Sequence, residues 1–191
     1  MSNFSSQLRK GAKLVAQATE RKAWWKIALL TVPAIVVAGN LSGLLSNSGF
    51  GNPWFDAVEK PGFMPPGWVF GVAWTTLYTL MGISVALVIA APNSGWRSRG
   101  LTFFFVQLAL NYLWSPIFFG AGAIDWGFLV IIAMAVALCL TISLFWRVNR
   151  VAALLLLPYL AWLCLATALN FEIGRLNPGA DRAPLGITSV R

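Results

Sequence analysis

The side chains best equipped to bind or react are aromatic: the chain holds 10 Trp, 13 Phe and 3 Tyr, and no His. Trp74, Trp114 and Trp162 lie well inside apolar runs, where an indole N–H needs a partner. Helical spacing gathers other residues beside them. Gly67, Gly71, Trp74, Thr75 and Tyr78 share one face, and Gln107, Asn111, Trp114, Ser115 and Phe118 share another. Tyr159, Trp162, Ala166 and Asn170 form a third stripe, and Asn40 sits with the small residues Gly39 and Gly43. Glycine beside a large ring lets a backbone or a flat ligand come close. Several indoles converging with Asn111 read as the wall of a pocket for a broad aromatic ligand, mostly apolar with a few orienting polar groups. The competing reading is helix–helix adhesion, at an average of about 0.6 kcal/mol per polar contact. It suits Gln107 and Asn40 better than Trp74 and Trp162.

Other chemistries lose their usual residues. Without His, the commonest general base and metal ligand is missing. No Asp, Glu, Lys or Arg falls in the middle of an apolar run, which argues against a proton-coupled pump. No Ser/His/Asp set, metal-ligand cluster or phosphate-binding glycine loop is present. No cofactor or metal is expected. Cys139 and Cys164 fall inside apolar runs and read as buried small hydrophobes.

Elements of a particular kind must carry these stripes. The 191 residues are 58% hydrophobic and 10% charged, with a mean hydropathy of +0.72. Soluble domains carry about 25% charged residues, so lipid is the expected solvent. Five runs approach the roughly 20 residues needed to span a bilayer: Ile27–Ser46, Gly67–Ala91, Leu101–Gly120, Trp126–Trp146 and Val151–Phe171. The fold class is therefore an all-α membrane bundle of five helices. The first run follows basic residues but lacks an A-x-A cleavage site, so it reads as a retained span.

The formal charge of +8 orients the bundle and does not point to nucleic acid. Basic residues cluster before the first span, at Arg97 and Arg99, and at Arg147 and Arg150. Asp56, Glu59 and Asp125 occupy the alternate loops. The positive-inside rule then places the N-terminus in the cytoplasm and the C-terminus outside. Residues 1–26 read as a basic segment, either a frayed tail or a weakly amphipathic stretch with Phe4, Leu8, Gly11 and Val15 near helical spacing. Residues 27–174 form the membrane domain, and residues 175–191 read as a mobile tail.

The stretch KPGFMPPGWVFGVAW, Lys60–Trp74, is the doorway to the second span. Pro66 suits the first turn of a helix. Trp68 suits the interfacial aromatic belt, as do Trp24, Trp25, Trp54, Trp96, Trp126 and Trp146 near span ends.

Three segments, WFDAVEKPGFMPPGWVFGVAWTTLY, QLALNYLWSPIFFG and PYLAWLCLATALN, resemble the TspO/MBR family in matching order. This is the family of tryptophan-rich sensory proteins and of the translocator protein, or peripheral benzodiazepine receptor. The resemblance covers roughly Trp24–Asn177. It implies a five-helix bundle, usually homodimeric, that binds porphyrins, protoporphyrin IX above all, in a pocket capped by the first loop. It also implies isoquinoline carboxamide and benzodiazepine ligands. By motif position the pocket residues would be Phe55, Pro66, Trp68, Phe70, Gly71, Trp74, Tyr78, Asn111, Trp114, Ser115, Phe118, Trp162 and Ala166. Some bacterial members are held to degrade protoporphyrin in light through two tryptophans, which match Trp74 and Trp162. The chain departs from the family at three places. Phe55 stands where many members have Tyr, Phe63 replaces a common Trp, and Phe171 takes the Tyr position of the cholesterol pattern. Cholesterol therefore carries little weight.

Three functions follow as expectations. The first is a porphyrin-binding regulator or transporter in tetrapyrrole handling, with Lys60 placed to meet a propionate. The second is a photo-oxidative enzyme acting through Trp74 and Trp162. The third is a passive transporter or scaffold for small hydrophobic ligands. A dimer face is expected on the third span, around Phe104 and Ala109.

Overall fold

The computed structural model describes residues 2–188. Before Trp24 only Gln7 and Gly11 are described beyond the backbone. The face expected from Phe4, Leu8 and Val15 thus lies outside the described residues.

Seven α-helices account for the fold: α1 Ser2–Leu45, α2 Pro53–Ala57, α3 Gly67–Ile89, α4 Gly95–Ser115, α5 Ile124–Val148, α6 Arg150–Leu154 and α7 Leu157–Leu176. A π-helical turn, Pro116–Gly120, extends α4. Among the described residues five stretches are long and apolar enough to cross a membrane: Trp24–Leu45, Gly67–Ile89, Gly95–Gly120, Ile124–Val148 and Arg150–Leu176. The chain is an integral multi-pass membrane protein. The expected spans are all present. The third, fourth and fifth are lengthened by a few residues as polar caps and interfacial residues continue the helices past their apolar centres. The first starts three residues earlier, and the second stops two residues short, at Ile89. Helix α1 runs unbroken from Ser2 through Pro33 to Leu45, so the basic N-terminal stretch is continuous with the first span.

Helix ends are set by local chemistry. The Asn52 carboxamide accepts the Trp54 and Phe55 N–H groups at the start of α2. Ser94 caps α4, and Asn149 caps α6. Arg97 reaches back to donate to the Val88 and Ile89 carbonyls at the end of α3. Pro66 sits one residue earlier than expected. It is the N-cap of α3, and its carbonyl accepts the Val69 N–H.

The bundle closes as a ring in which α1 packs on α3 and α4, α4 on α5, α5 on α7, and α6 on α3. Backbone proximity drives the α1–α3 contact. A Cβ added at Gly82 would lie 2.6 Å from the Val32 Cα, and the Thr31 hydroxyl donates to the Gly82 carbonyl at 2.8 Å. The main core joins Tyr78, Met81, Phe104, Leu138, Phe145 and Tyr159, and a second cluster joins Trp54, Phe55, Phe118, Ile124 and Ile173 at the lid end.

Several expectations are corrected here. Phe104 is fully buried and stacks on Phe145 at 5.9 Å, so it offers nothing to a partner; Ala109 does face outward. Cys139 and Cys164 lie on the exposed outer face and are not buried. Trp54 is buried against Phe118 at 5.4 Å, away from the lipid belt. Trp25, Trp96, Trp126 and Trp146 are exposed near span ends as expected. The stretch after Leu176, read from sequence as a mobile tail, folds back and bonds to the first loop and to α5.

Candidate functional site

The buried amide Asn111 organises the interior. Its oxygen accepts from the Tyr78 hydroxyl at 2.8 Å, and its N–H donates to the Tyr159 hydroxyl at 2.8 Å. Tyr159 in turn donates to the Met134 sulfur at 2.7 Å. One amide therefore ties α3, α4, α5 and α7 together across the apolar centre, where unsatisfied polar atoms cost most. Gly39 makes room on α1, because a Cβ there would lie 2.2 Å from the Tyr78 ring.

Above this knot the aromatic rings form a wall. Trp74 stacks on Tyr78 at 5.1 Å and meets Trp162 edge-on at 6.3 Å. Phe70 meets Trp162 edge-on at 5.6 Å. On the opposite side Trp114 stacks on Phe118 at 4.9 Å. The space between is a cavity of about 880 Å³, within the range typical of small-molecule sites. Its α1 wall includes Val37, Leu41 and Leu44, all exposed on the outer face. The helices touch at Gly82, but a Cβ at Gly71 would meet nothing. The cavity therefore opens sideways between α1 and α3.

The first loop closes the outer end. Phe55, on α2, is buried and lines the cavity roof. Lys60 lies over the Phe55 ring with its ammonium 4.9 Å from the centroid, and it donates to the Asp56 carbonyl. This is a cation–π arrangement that sets one positive charge at the rim.

The structure brings Phe55, Phe70, Gly71, Trp74, Tyr78, Asn111, Trp114, Ser115, Phe118, Trp162 and Ala166 onto the lining of this one cavity. Pro66 and Trp68 are not on it, and Trp68 is 72% exposed. Pro66 starts α3 and Trp68 points away, a distinction that motif position alone does not carry. Thr75, from the same helical stripe, is exposed and bonds its own helix at Gly71. Gln107 is fully buried but off the lining.

Sequence reasoning missed the contribution of α5, which supplies Ile131 and Met134 to the wall. No polar or aromatic marker distinguishes that face, so no signal pointed to it. Asn170 and Asn40 line the cavity as well, and the polar stripes had already gathered both. Two polar atoms on the lining are buried without a protein partner: the Trp114 indole N–H and the Asn170 carboxamide oxygen. They offer one donor and one acceptor inside a mostly apolar volume.

The TspO/MBR family model matches residues 30–176 of this chain. The tryptophan-rich protein TspO of Archaeoglobus fulgidus is 46% identical over 156 residues, covering 78% of this chain and 94% of the relative. Protein CrtK of Rhodobacter capsulatus is 45% identical over 127 residues, covering 66% and 79%. The human translocator protein is 38% identical over 140 residues, covering 69% and 79%.

Proposed function

The chain belongs to the TspO/MBR family, and we propose that it binds porphyrins, protoporphyrin IX first among them, in the cavity between α1, α3, α4 and α7. The carrying observation is a wall of indole and phenyl rings around about 880 Å³, with the Lys60 ammonium over the Phe55 ring at the lid end. A tetrapyrrole is broad, flat and apolar, with carboxylates along one edge. Stacking on Trp74 and Trp162 suits the macrocycle, and Lys60 suits a propionate. The unpartnered Trp114 N–H and Asn170 oxygen suit the few polar groups that fix orientation. Isoquinoline carboxamide and benzodiazepine ligands are proposed for the same space. The role is sensing or transport in tetrapyrrole handling, in a bundle whose N-terminus is cytoplasmic and whose C-terminus is outside. Homodimerisation would use the outer face of α4, where Phe105, Ala109 and Leu113 are exposed.

A second reading, light- and oxygen-dependent breakdown of bound protoporphyrin, has one observation in its favour. Trp74 touches Tyr78, Tyr159 and Trp162 in one connected group of oxidisable rings.

One experiment addresses both. Tryptophan fluorescence of the purified protein is titrated with protoporphyrin IX in the dark, then the Soret band is followed under light. Saturable quenching with a stable band is the expected result for a binding protein. Band loss that disappears in the Trp74→Phe/Trp162→Phe variant would make it an enzyme. Gly71→Leu should abolish quenching with the fold retained, since its side chain enters open space beside the wall. Unchanged titrations in Gly71→Leu would remove the ligand from this cavity.

A further inference from the structure

We infer that residues 177–188 are a strap that holds the first-loop lid shut over the cavity, with Asn177 and Asp125 as its positioning residues. The family match ends at residue 176, one residue before the strap begins.

The lid helix α2 has 5 residues, far below the length at which an isolated helix persists, so its position rests on its contacts. Trp54 and Phe55 pack on Phe118, and the Asn52 carboxamide donates to the Phe119 carbonyl. The strap grips it at two points. The Asn177 carboxamide accepts the Glu59 N–H at 2.8 Å and donates to the Glu59 carbonyl at 2.9 Å. The Trp54 indole donates to the Ala180 carbonyl at 3.0 Å. Between lid and anchor, the Arg182 N–H donates to the Gly122 carbonyl.

The far end is anchored on the Asp125 carboxylate, and nearer the lid the Asp181 carboxylate accepts the Asp125 N–H at 2.8 Å. Asp125 is 1% exposed. It accepts the N–H groups of Leu185, Ile187 and Thr188, at 2.7, 3.2 and 2.9 Å, and the Thr188 hydroxyl at 2.6 Å. Among the described residues no Lys or Arg pairs with it. A buried carboxylate without donors is strongly disfavoured. Asp125 is therefore either strapped or hydrated, which makes the strap a two-position device. Gly174 completes the seat: a Cβ there would lie 1.9 Å from the Thr188 hydroxyl oxygen. The anchor thus needs a carboxylate on α5 and a missing side chain on α7. Release of the far end would loosen the Ala180 bond to Trp54, next to the roof residue Phe55, while Asn177, tied to the Ile173 carbonyl at the end of α7, is a separate grip on Glu59.

The test uses the full chain in lipid nanodiscs. Amide hydrogen exchange is compared, without ligand, in wild type, Asp125→Asn, Asn177→Ala and Gly174→Ala. Gly174→Ala leaves the carboxylate in place and favours the helix, so it separates strap loss from misfolding. Exchange of the lid amides 52–58 should accelerate about tenfold in all three variants, with the spans unchanged. Faster exchange confined to 185–188, with the lid unchanged, would overturn the proposal. The consequence for ligand rests on the porphyrin reading. Protoporphyrin IX should dissociate about tenfold faster from the variants at unaltered thermal stability. Faster lid exchange with unchanged dissociation would overturn closure over the ligand. Faster lid exchange in a protein whose wild type shows no saturable quenching would support the strap and overturn the porphyrin reading.

Discussion

At the scale of single residues, Trp74 and Asn111 do different work at neighbouring positions. Trp74 offers a ring face to the cavity, while Asn111 satisfies two tyrosine hydroxyls in the apolar interior. Their substitutions should separate accordingly. Aromatic stacking contributes about 0.5–1.5 kcal/mol per pair beyond area burial. Removing both indoles in Trp74→Phe/Trp162→Phe should weaken protoporphyrin IX binding by roughly tenfold or more, read by fluorescence titration, with little change in melting temperature. Asn111→Leu should instead cost about 2–4 kcal/mol of stability, because it leaves the Tyr78 and Tyr159 hydroxyls short of partners. Tyr78→Phe should cost about 1 kcal/mol. Thermal unfolding in detergent measures both. An Asn111→Leu protein as stable as wild type would mean that the network around Asn111 carries no stability of its own.

At the scale of elements, the decisive contact is that of α1 with α3. It is tight at Gly82 and Gly39 and open at Gly71. That difference along one helix pair makes both a stable bundle and a lateral mouth. Gly82→Val forces a side chain against the Val32 backbone. It should destabilise the bundle by about 1–3 kcal/mol and loosen the cavity, measured by thermal unfolding and by ligand titration. A Gly82→Val protein as stable as wild type would mean that α1 can shift without cost. Of the glycines that the sequence stripes gathered, Gly39 makes a close approach, to the Tyr78 ring, and Gly71 does not, while the tight contact at Gly82 carried no signal in the sequence. The partner of each one did not appear there, because helix pairing is a property of the assembled ring.

At the scale of the whole molecule, charge is divided between the two ends of the bundle. Arg97, Arg99, Arg147 and Arg150 occupy one end, and Asp56, Glu59 and Asp125 the other. Five spans require the termini to lie on opposite sides of the membrane. Reporter fusions should therefore place the N-terminus in the cytoplasm and the C-terminus outside. Fusions active on the same side would contradict the count of spans. The lid and the strap would then both face the non-cytoplasmic side.

Much of this protein could be read directly from its residues. Hydropathy sets the number of spans, because each crossing needs its own apolar length. Helical spacing gathered Gly71, Trp74 and Tyr78, as it gathered Asn111, Trp114, Ser115 and Phe118, since side chains one turn apart share a face. Only the tertiary structure decided which faces meet. It buried Trp54 and Phe104, turned Cys139 and Cys164 outward, and left Pro66 and Trp68 off the cavity. It also brought residues 177–188 back to Asp125, more than fifty positions earlier in the chain. Periodicity speaks only of neighbours along one helix. Contacts between helices, and between a loop and a distant carboxylate, depend on how the whole chain packs, which no local pattern records.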